Sequence, residues 1–77
     1  MKHIKVLGSG CRNCDTTAQL IQETATAGGI AIELEKVTDM AAILGYGVMS
    51  TPAVVIDGQV VHAGGVPNRN TVAGWLA

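Results

Sequence analysis

The sequence predicts a small α/β fold in the order β-α-β-α-β-β-α, a four-stranded mixed sheet with helices on both faces. Three observations predict it. An apolar run, Ile4 to Leu7, is broken by Gly8 and Gly10 and gives way to a stretch with apolar residues at helical spacing. Beyond Gly28-Gly29, the stretch Ala31-Ile32-Glu33-Leu34-Glu35-Lys36-Val37 alternates apolar and charged residues, the period of a strand with one wet face. Ala53 to Ile56 and Gln59 to His62 are β-rich and joined by Asp57-Gly58, a strong hairpin signal, because both central residues of a type I′ turn need positive φ.

Taken in order, Ile4-Lys5-Val6-Leu7 reads as a buried strand. A helix from about Arg12 to Ala27 sets Ala18, Ile21 and Ala25 on one face with Leu20 alongside, and Gln19, Gln22 and Glu23 on the other. Gly28-Gly29 stops it as a C′ glycine does. The strand at 31–37 then completes a right-handed β-α-β unit, parallel to the first. Thr38 is the expected N-cap of a short helix, with Asp39 in its first turn and Gly45 closing it after about Leu44. Tyr46 to Pro52 is a connector to the hairpin, which Gly64-Gly65 ends. A last helix from about Asn68 or Asn70 carries Val72, Trp75 and Leu76 at i, i+3, i+4. No repeat, linker or low-complexity segment interrupts the chain, so a single domain over 1–77 is expected.

Composition narrows the function. Hydrophobic residues make up 48%, yet Tyr46 and Trp75 are the only aromatics, so the core is built from Ile, Val, Leu, Ala and Met. Charged residues are 14% and the net charge is −1; no basic cluster exists to neutralise phosphates, which excludes a nucleic-acid partner. No apolar run approaches the roughly 18 residues of a membrane span. Met1-Lys2-His3-Ile4-Lys5 is too polar for a signal peptide, and the expected location is cytoplasmic. In a reducing cytoplasm two cysteines are poor candidates for a structural staple, which favours a redox or metal role.

Both cysteines lie in Gly8-Ser9-Gly10-Cys11-Arg12-Asn13-Cys14. At this spacing on the first turn of a helix, two thiols are close enough to form a disulfide if the backbone is right. The helix N-terminus presents unpaired N–H groups and partial positive charge, which favour the reactive thiolate. The stretch suits a reversible dithiol/disulfide switch, and it would also suit a soft metal ion.

The chain resembles the thioredoxin superfamily, and within it the small, glutaredoxin-sized redox-active disulfide proteins. Three motifs carry the resemblance over essentially the whole chain: Cys11-Arg12-Asn13-Cys14 after the first strand, Tyr46-Gly47-Val48-Met49-Ser50-Thr51-Pro52-Ala53, similar to the segment that ends in a cis-proline, and Gly64-Gly65 after the hairpin. The resemblance implies a thiol–disulfide oxidoreductase with Cys11 as attacking thiolate and Cys14 as resolving thiol. It implies a cis Thr51–Pro52 bond facing the sulfurs, with the Thr51 backbone pairing to an extended substrate strand. The substrate-facing set is Thr51, Pro52, Gly10, Arg12, Met49 and Gly64. It further implies disulfide-containing protein substrates, a thioredoxin-reductase-like electron donor, a place in electron transport and cell redox homeostasis, and no cofactor. Two positions depart from the pattern: Gly10 stands where thioredoxins place a Trp, and Arg12-Asn13 replaces the Pro-Tyr pair of glutaredoxins. No buried Asp below the disulfide is evident, and alternation does not decide whether Lys5 points toward that space.

Other readings stand beside these. Small metallochaperone-like modules also place two cysteines two apart after a first strand, although their order is β-α-β-β-α-β and a Met is favoured shortly before the first Cys. A non-catalytic adaptor is a third class. Arg12 either stabilises the Cys11 thiolate or is a solvated charge, and Asp15 reads as a first-turn acid. Met49 is either core or part of an apolar rim. Gly64 and Gly65 either admit a substrate backbone or relieve a bend. His62 reads as a strand residue with no evident partner, His3 as exposed, and Tyr46 and Trp75 as packing residues.

Overall fold

A computed structural model of the chain describes residues 1–8 and 12–77. The elements are β1 (Lys2–Leu7), α1 (Arg12–Ala27), β2 (Ile32–Val37), α2 (Met40–Gly45), β3 (Ala53–Ile56), β4 (Gln59–Ala63) and α3 (Arg69–Leu76). The strands form one four-stranded sheet in the order β2-β1-β3-β4. β1 runs parallel to β2 and antiparallel to β3, and β3 pairs antiparallel with β4. This is the mixed α/β architecture expected from the sequence, with the β-α-β unit and the hairpin meeting at β1.

Each face of the sheet has its own core. Ile4, Val6 and Val54 meet Ala18, Ile21 and Ala25 of α1 and Val72 and Leu76 of α3 on one side. Leu7, Ala53 and Val55 meet Ile43 of α2 and Val48 on the other. Ile21 and Val72 have no exposed surface; each such aliphatic side chain contributes about 1.5–3 kcal/mol relative to exposure. The period-2 alternation of β1 and the helical spacing in α1 therefore fix which surfaces meet.

Caps and turns set the boundaries. At the end of α1 the Gly29 N–H donates to the Thr26 carbonyl at 3.2 Å and the Ile30 N–H to the Ala25 carbonyl at 2.8 Å. With Gly29 at φ 65°, this is the paired C-terminal motif that only a residue without Cβ adopts at low cost. Because Ile30 is still engaged by the helix, β2 begins at Ile32 rather than Ala31. β1 starts earlier than its apolar run, at Lys2, because Lys2 already pairs with Ile32. The N-cap of α2 is Asp39, not Thr38: its carboxylate accepts from the Ala41 N–H at 3.2 Å. α2 includes Gly45 and ends at Tyr46, with the left-handed turn supplied by Gly47. Asn68 caps α3, its side-chain oxygen accepting from the Thr71 N–H at 2.8 Å. In the hairpin turn Asp57 and Gly58 have φ of 50° and 85°, as the two-residue loop requires.

The fold settles the place of two side chains, one that alternation left open and one that it left without a partner. Lys5 alternates with Ile4 and Val6, so it lies on the α2 side of the sheet, where Nζ donates to the Tyr46 hydroxyl at 3.2 Å. It does not lie beneath α1. In β4, Val55 pairs with Val60 but Val54 pairs with His62, leaving Val61 as the extra residue of a β-bulge. His62 is not partnerless: its ring lies 5.7 Å from that of Trp75, and Nε2 is 2.9 Å from the Gly65 carbonyl oxygen.

The Tyr46 hydrogen bond, then the electrostatic influence of Tyr46, raise the Lys5 pKa above its ordinary 10.5; burial opposes them more weakly, and Glu35 adds the smallest raising effect. A raised cationic pKa contributes stability that is fully present below 10.5 and is lost as pH rises through the folded-state value. Tyr46→Phe is therefore expected to lower stability at pH 8 and to flatten its decline above pH 10.5, as measured by urea denaturation across that range.

Candidate functional site

The end of β1, the first turn of α1 and the connector before β3 converge on one sulfur. Leu7 pairs with Ala53 across the β1–β3 ladder, which brings Thr51-Pro52 beside the end of β1. Gly8 carries the β1–β2 pairing one residue further, its N–H donating to the Val37 carbonyl at 3.0 Å. Cys14 lies on the buried face of α1 with Thr17, Ala18, Ile21 and Ala25, and is 4% exposed. Its Sγ occupies the space that a Cβ at Gly8 would need, and the Thr51 Cβ lies 3.7 Å from the same point. Gly8, Cys14 and Thr51 thus meet at one place, although Thr51 is far from the other two in sequence.

The Thr51–Pro52 bond is cis, the geometry that the resemblance implies. Pro52 is fully buried while Thr51 is exposed. The Pro52 carbonyl accepts from the Gly64 N–H at 2.9 Å, and a Cβ at Gly64 would lie 3.2 Å from that of Ser50. Gly64 therefore belongs to the same loop cluster, with its amide already committed to Pro52. Met49 is 98% exposed, so of its two readings the core one is excluded; Val48 is the residue of that segment that enters the core.

Arg12 is exposed at the first position of α1. Asp15, the first-turn acid, pairs with Lys36 of β2 at 2.8 Å. That exposed pair balances the carboxylate charge near the helix start and adds at most about 1 kcal/mol of stability. Cys11 and Gly10 lie outside the described residues. Among the described residues no group of three or more His, Cys, Asp or Glu side chains comes together as a metal-ligand set. No described helix is long and apolar enough to cross a membrane.

Sequence reasoning missed Thr17. It is a buried polar side chain one turn along from Cys14 on the apolar stripe, and its hydroxyl donates to the Asn13 carbonyl at 2.7 Å. The signal was present as a threonine at i+3 from Cys14. Its bond ties down the carbonyl of the residue between the two cysteines nearest Cys14.

Comparison with known proteins agrees with this geometry. The sequence model of the thioredoxin domain family matches residues 2–77. A thioredoxin of Methanothermobacter thermautotrophicus is 31% identical over 72 residues, covering 94% of this chain and 94% of that one. A thioredoxin of Methanocaldococcus jannaschii is 34% identical over 65 residues, covering 84% of this chain and 74% of that one. Among solved structures, thioredoxin-2, a component of malaria parasite protein secretion machinery, matches with a TM-score of 0.70 over 97% of this chain and 80% of its own. At 13% identity that likeness concerns the fold.

The Gly8–Cys14 approach gives a direct test against a glycine of the same chain. Gly8→Ala is expected to lower stability by about 1–3 kcal/mol, as overpacking does, because the new methyl collides with the Cys14 sulfur. Gly74→Ala in α3, whose Cβ would meet nothing within 4 Å, is expected to raise stability by about 0.5–1 kcal/mol. Urea midpoints of the two variants check both signs.

Proposed function

We propose, from the premise that this chain belongs to the thioredoxin family and is a thiol–disulfide oxidoreductase of thioredoxin type, that Cys11 and Cys14 form its reactive pair. The observation that supports the reading is the convergence of the Cys14 sulfur, Gly8 and Thr51 at the end of β1, with Cys11 three positions before Cys14 in the chain.

The chemistry follows from thiol exchange. The Cys11 thiolate attacks one sulfur of a substrate disulfide, forming a mixed disulfide and expelling the other substrate sulfur as thiolate, which takes up a proton. Cys14 then loses its proton and attacks the Cys11 sulfur. The Cys11–Cys14 disulfide forms and the second substrate sulfur leaves as a thiol. Two electrons and two protons pass from the protein to the substrate, and a dithiol donor of the thioredoxin-reductase class returns them. Cys14 lies in the first turn of α1, and Cys11 directly precedes its first residue, Arg12, in the sequence; unpaired N–H groups and the helix dipole at such a helix start favour the thiolate.

The substrates in this reading are disulfide-bearing proteins. An extended segment of the partner pairs with the exposed Thr51 backbone, a one-strand addition beside the reactive sulfurs. Met49, Arg12, Gly10 and Gly64 complete the substrate-facing surface, with Met49 giving it an apolar rim, whereas Pro52, being fully buried, supports the loop from within and does not face the substrate. The reducing cytoplasm is the setting in which such a couple stays poised as a dithiol.

The single-cysteine variants test the assignment. Cys11→Ser is expected to abolish reduction of a protein disulfide such as insulin. Cys14→Ser is expected to accumulate a covalent adduct with the substrate, detected by mass and released by dithiothreitol. A Cys14→Ser protein that traps no adduct while Cys11 remains alkylatable would sink the two-step mechanism.

A further inference from the structure

We propose that His62 is a positioning residue for the substrate-facing loops: it holds the Gly64–Gly65 turn so that this turn in turn holds the Ser50–Pro52 segment. The inference rests on the reading above that Thr51 and its neighbours receive the substrate.

The bulge in β4 is the first observation. Continuing the register from Ile56↔Gln59 and Val55↔Val60 without a bulge would set Val61 opposite Val54 and turn His62 to the α2 side. The extra residue instead sets His62 opposite Val54, on the side where α1 and α3 pack. Bulges re-aim a side chain at the cost of regular pairing. Here the re-aimed side chain is a histidine in place of a valine.

The second observation is what His62 meets there. Nε2 is 2.9 Å from the Gly65 carbonyl oxygen. A carbonyl only accepts, so Nε2 carries the proton in this bond. The ring lies 5.7 Å from the Trp75 ring at an interplanar angle of 52°, and Trp75 packs against the main core. The imidazole is therefore fixed by α3 on one side and grips the turn on the other.

The third observation carries the restraint to the site. Gly64 and Gly65 have φ of 83° and 73°. Two successive glycines have the largest backbone entropy to lose, so an external tether has most effect there. Gly64 donates to the Pro52 carbonyl at 2.9 Å and abuts Ser50. A continuous path thus runs from Trp75 through His62, Gly65 and Gly64 to Pro52, the residue after Thr51. None of its members needs to touch the reacting sulfurs.

The experiment is steady-state reduction of insulin and of a small aromatic disulfide, with dithiothreitol regenerating the dithiol, for wild type, His62→Leu and His62→Gln. Leu keeps an apolar body against Trp75 but removes the donor; Gln restores a side-chain N–H. His62→Leu is expected to raise the KM for insulin about five- to tenfold, the scale of one lost hydrogen bond, with kcat changed less than about twofold. The ratio of kcat/KM on insulin to that on the small disulfide falls accordingly, and amide exchange at Gly64 accelerates. His62→Gln is expected to recover most of the KM and the slow exchange. An unchanged KM in His62→Leu overturns the proposal. A His62→Gln protein as impaired as His62→Leu, or an equal loss on both substrates that follows lost stability, also overturns it by showing a merely structural role. A wild type that reduces neither substrate overturns the redox reading itself and the positioning role with it.

Discussion

The approach of α1 to the end of β1 is the constraint on which the site depends. The Cys14 sulfur fills the volume that a side chain at position 8 would take. Gly8 cannot retreat from it, because its N–H is bonded to Val37 and the strand that leads to it lies between β2 and β3. The strand end, the helix start and the sulfur are therefore set by one another. Leu7 pairing with Ala53 then brings the exposed Thr51 to the same place. The Cys14 sulfur and the Thr51 segment thus obtain their relation from one missing side chain and two strand pairings.

The two faces of the sheet divide the work. The α1–α3 face holds the larger apolar cluster, with Ile4, Ile21, Val54 and Val72 fully buried, and it carries Cys14 at its rim. The α2 face is thinner: a six-residue helix covers Leu7, Ala53 and Val55, and Lys5 with Tyr46 occupies part of the remainder. A chain of 77 residues cannot build two thick cores, because surface grows relative to volume as domains shrink. Polar contact on the second face is the expected compromise. It also engages Lys5 with Tyr46 on the face opposite α1.

Much of the fold was legible in the sequence, for physical reasons that can be named residue by residue. The alternation of Ile32 to Val37, the 3.6 period of Ala18, Ile21 and Ala25, and the Asp57-Gly58 turn each reflect a local geometry with its own residue preferences. The close approach at Gly8 was not legible, since nothing local distinguishes a glycine that ends a strand from one that admits a sulfur. The choice of Asp39 over Thr38 as N-cap depends on which carboxylate or hydroxyl reaches Ala41, a matter of one residue in register. The β4 bulge hid completely: Val60-Val61-His62 contains two equivalent valines, and alternation alone assigns His62 to the wrong face. Of the candidate site residues, Thr51, Pro52, Met49 and Gly64 fall in one loop cluster, while the placement of Cys14 needed the tertiary fold.

What holds the loops of the site differs in kind from what holds the fold. The core elements are joined by buried Ile, Val and Leu, each contributing on the order of 1.5–3 kcal/mol. The loops are joined by single backbone bonds, Gly8 to Val37 and Gly64 to Pro52, and by the reach of His62 to Gly65. Each such bond contributes about 0.5–1.5 kcal/mol net. Each of these bonds contributes less than a buried aliphatic side chain, so the loops are tied more weakly than the core elements. In the proposed reading the Cys14 sulfur is seated on α1 by core packing, while the Thr51 segment, to which a substrate strand would pair, is held by these weaker bonds.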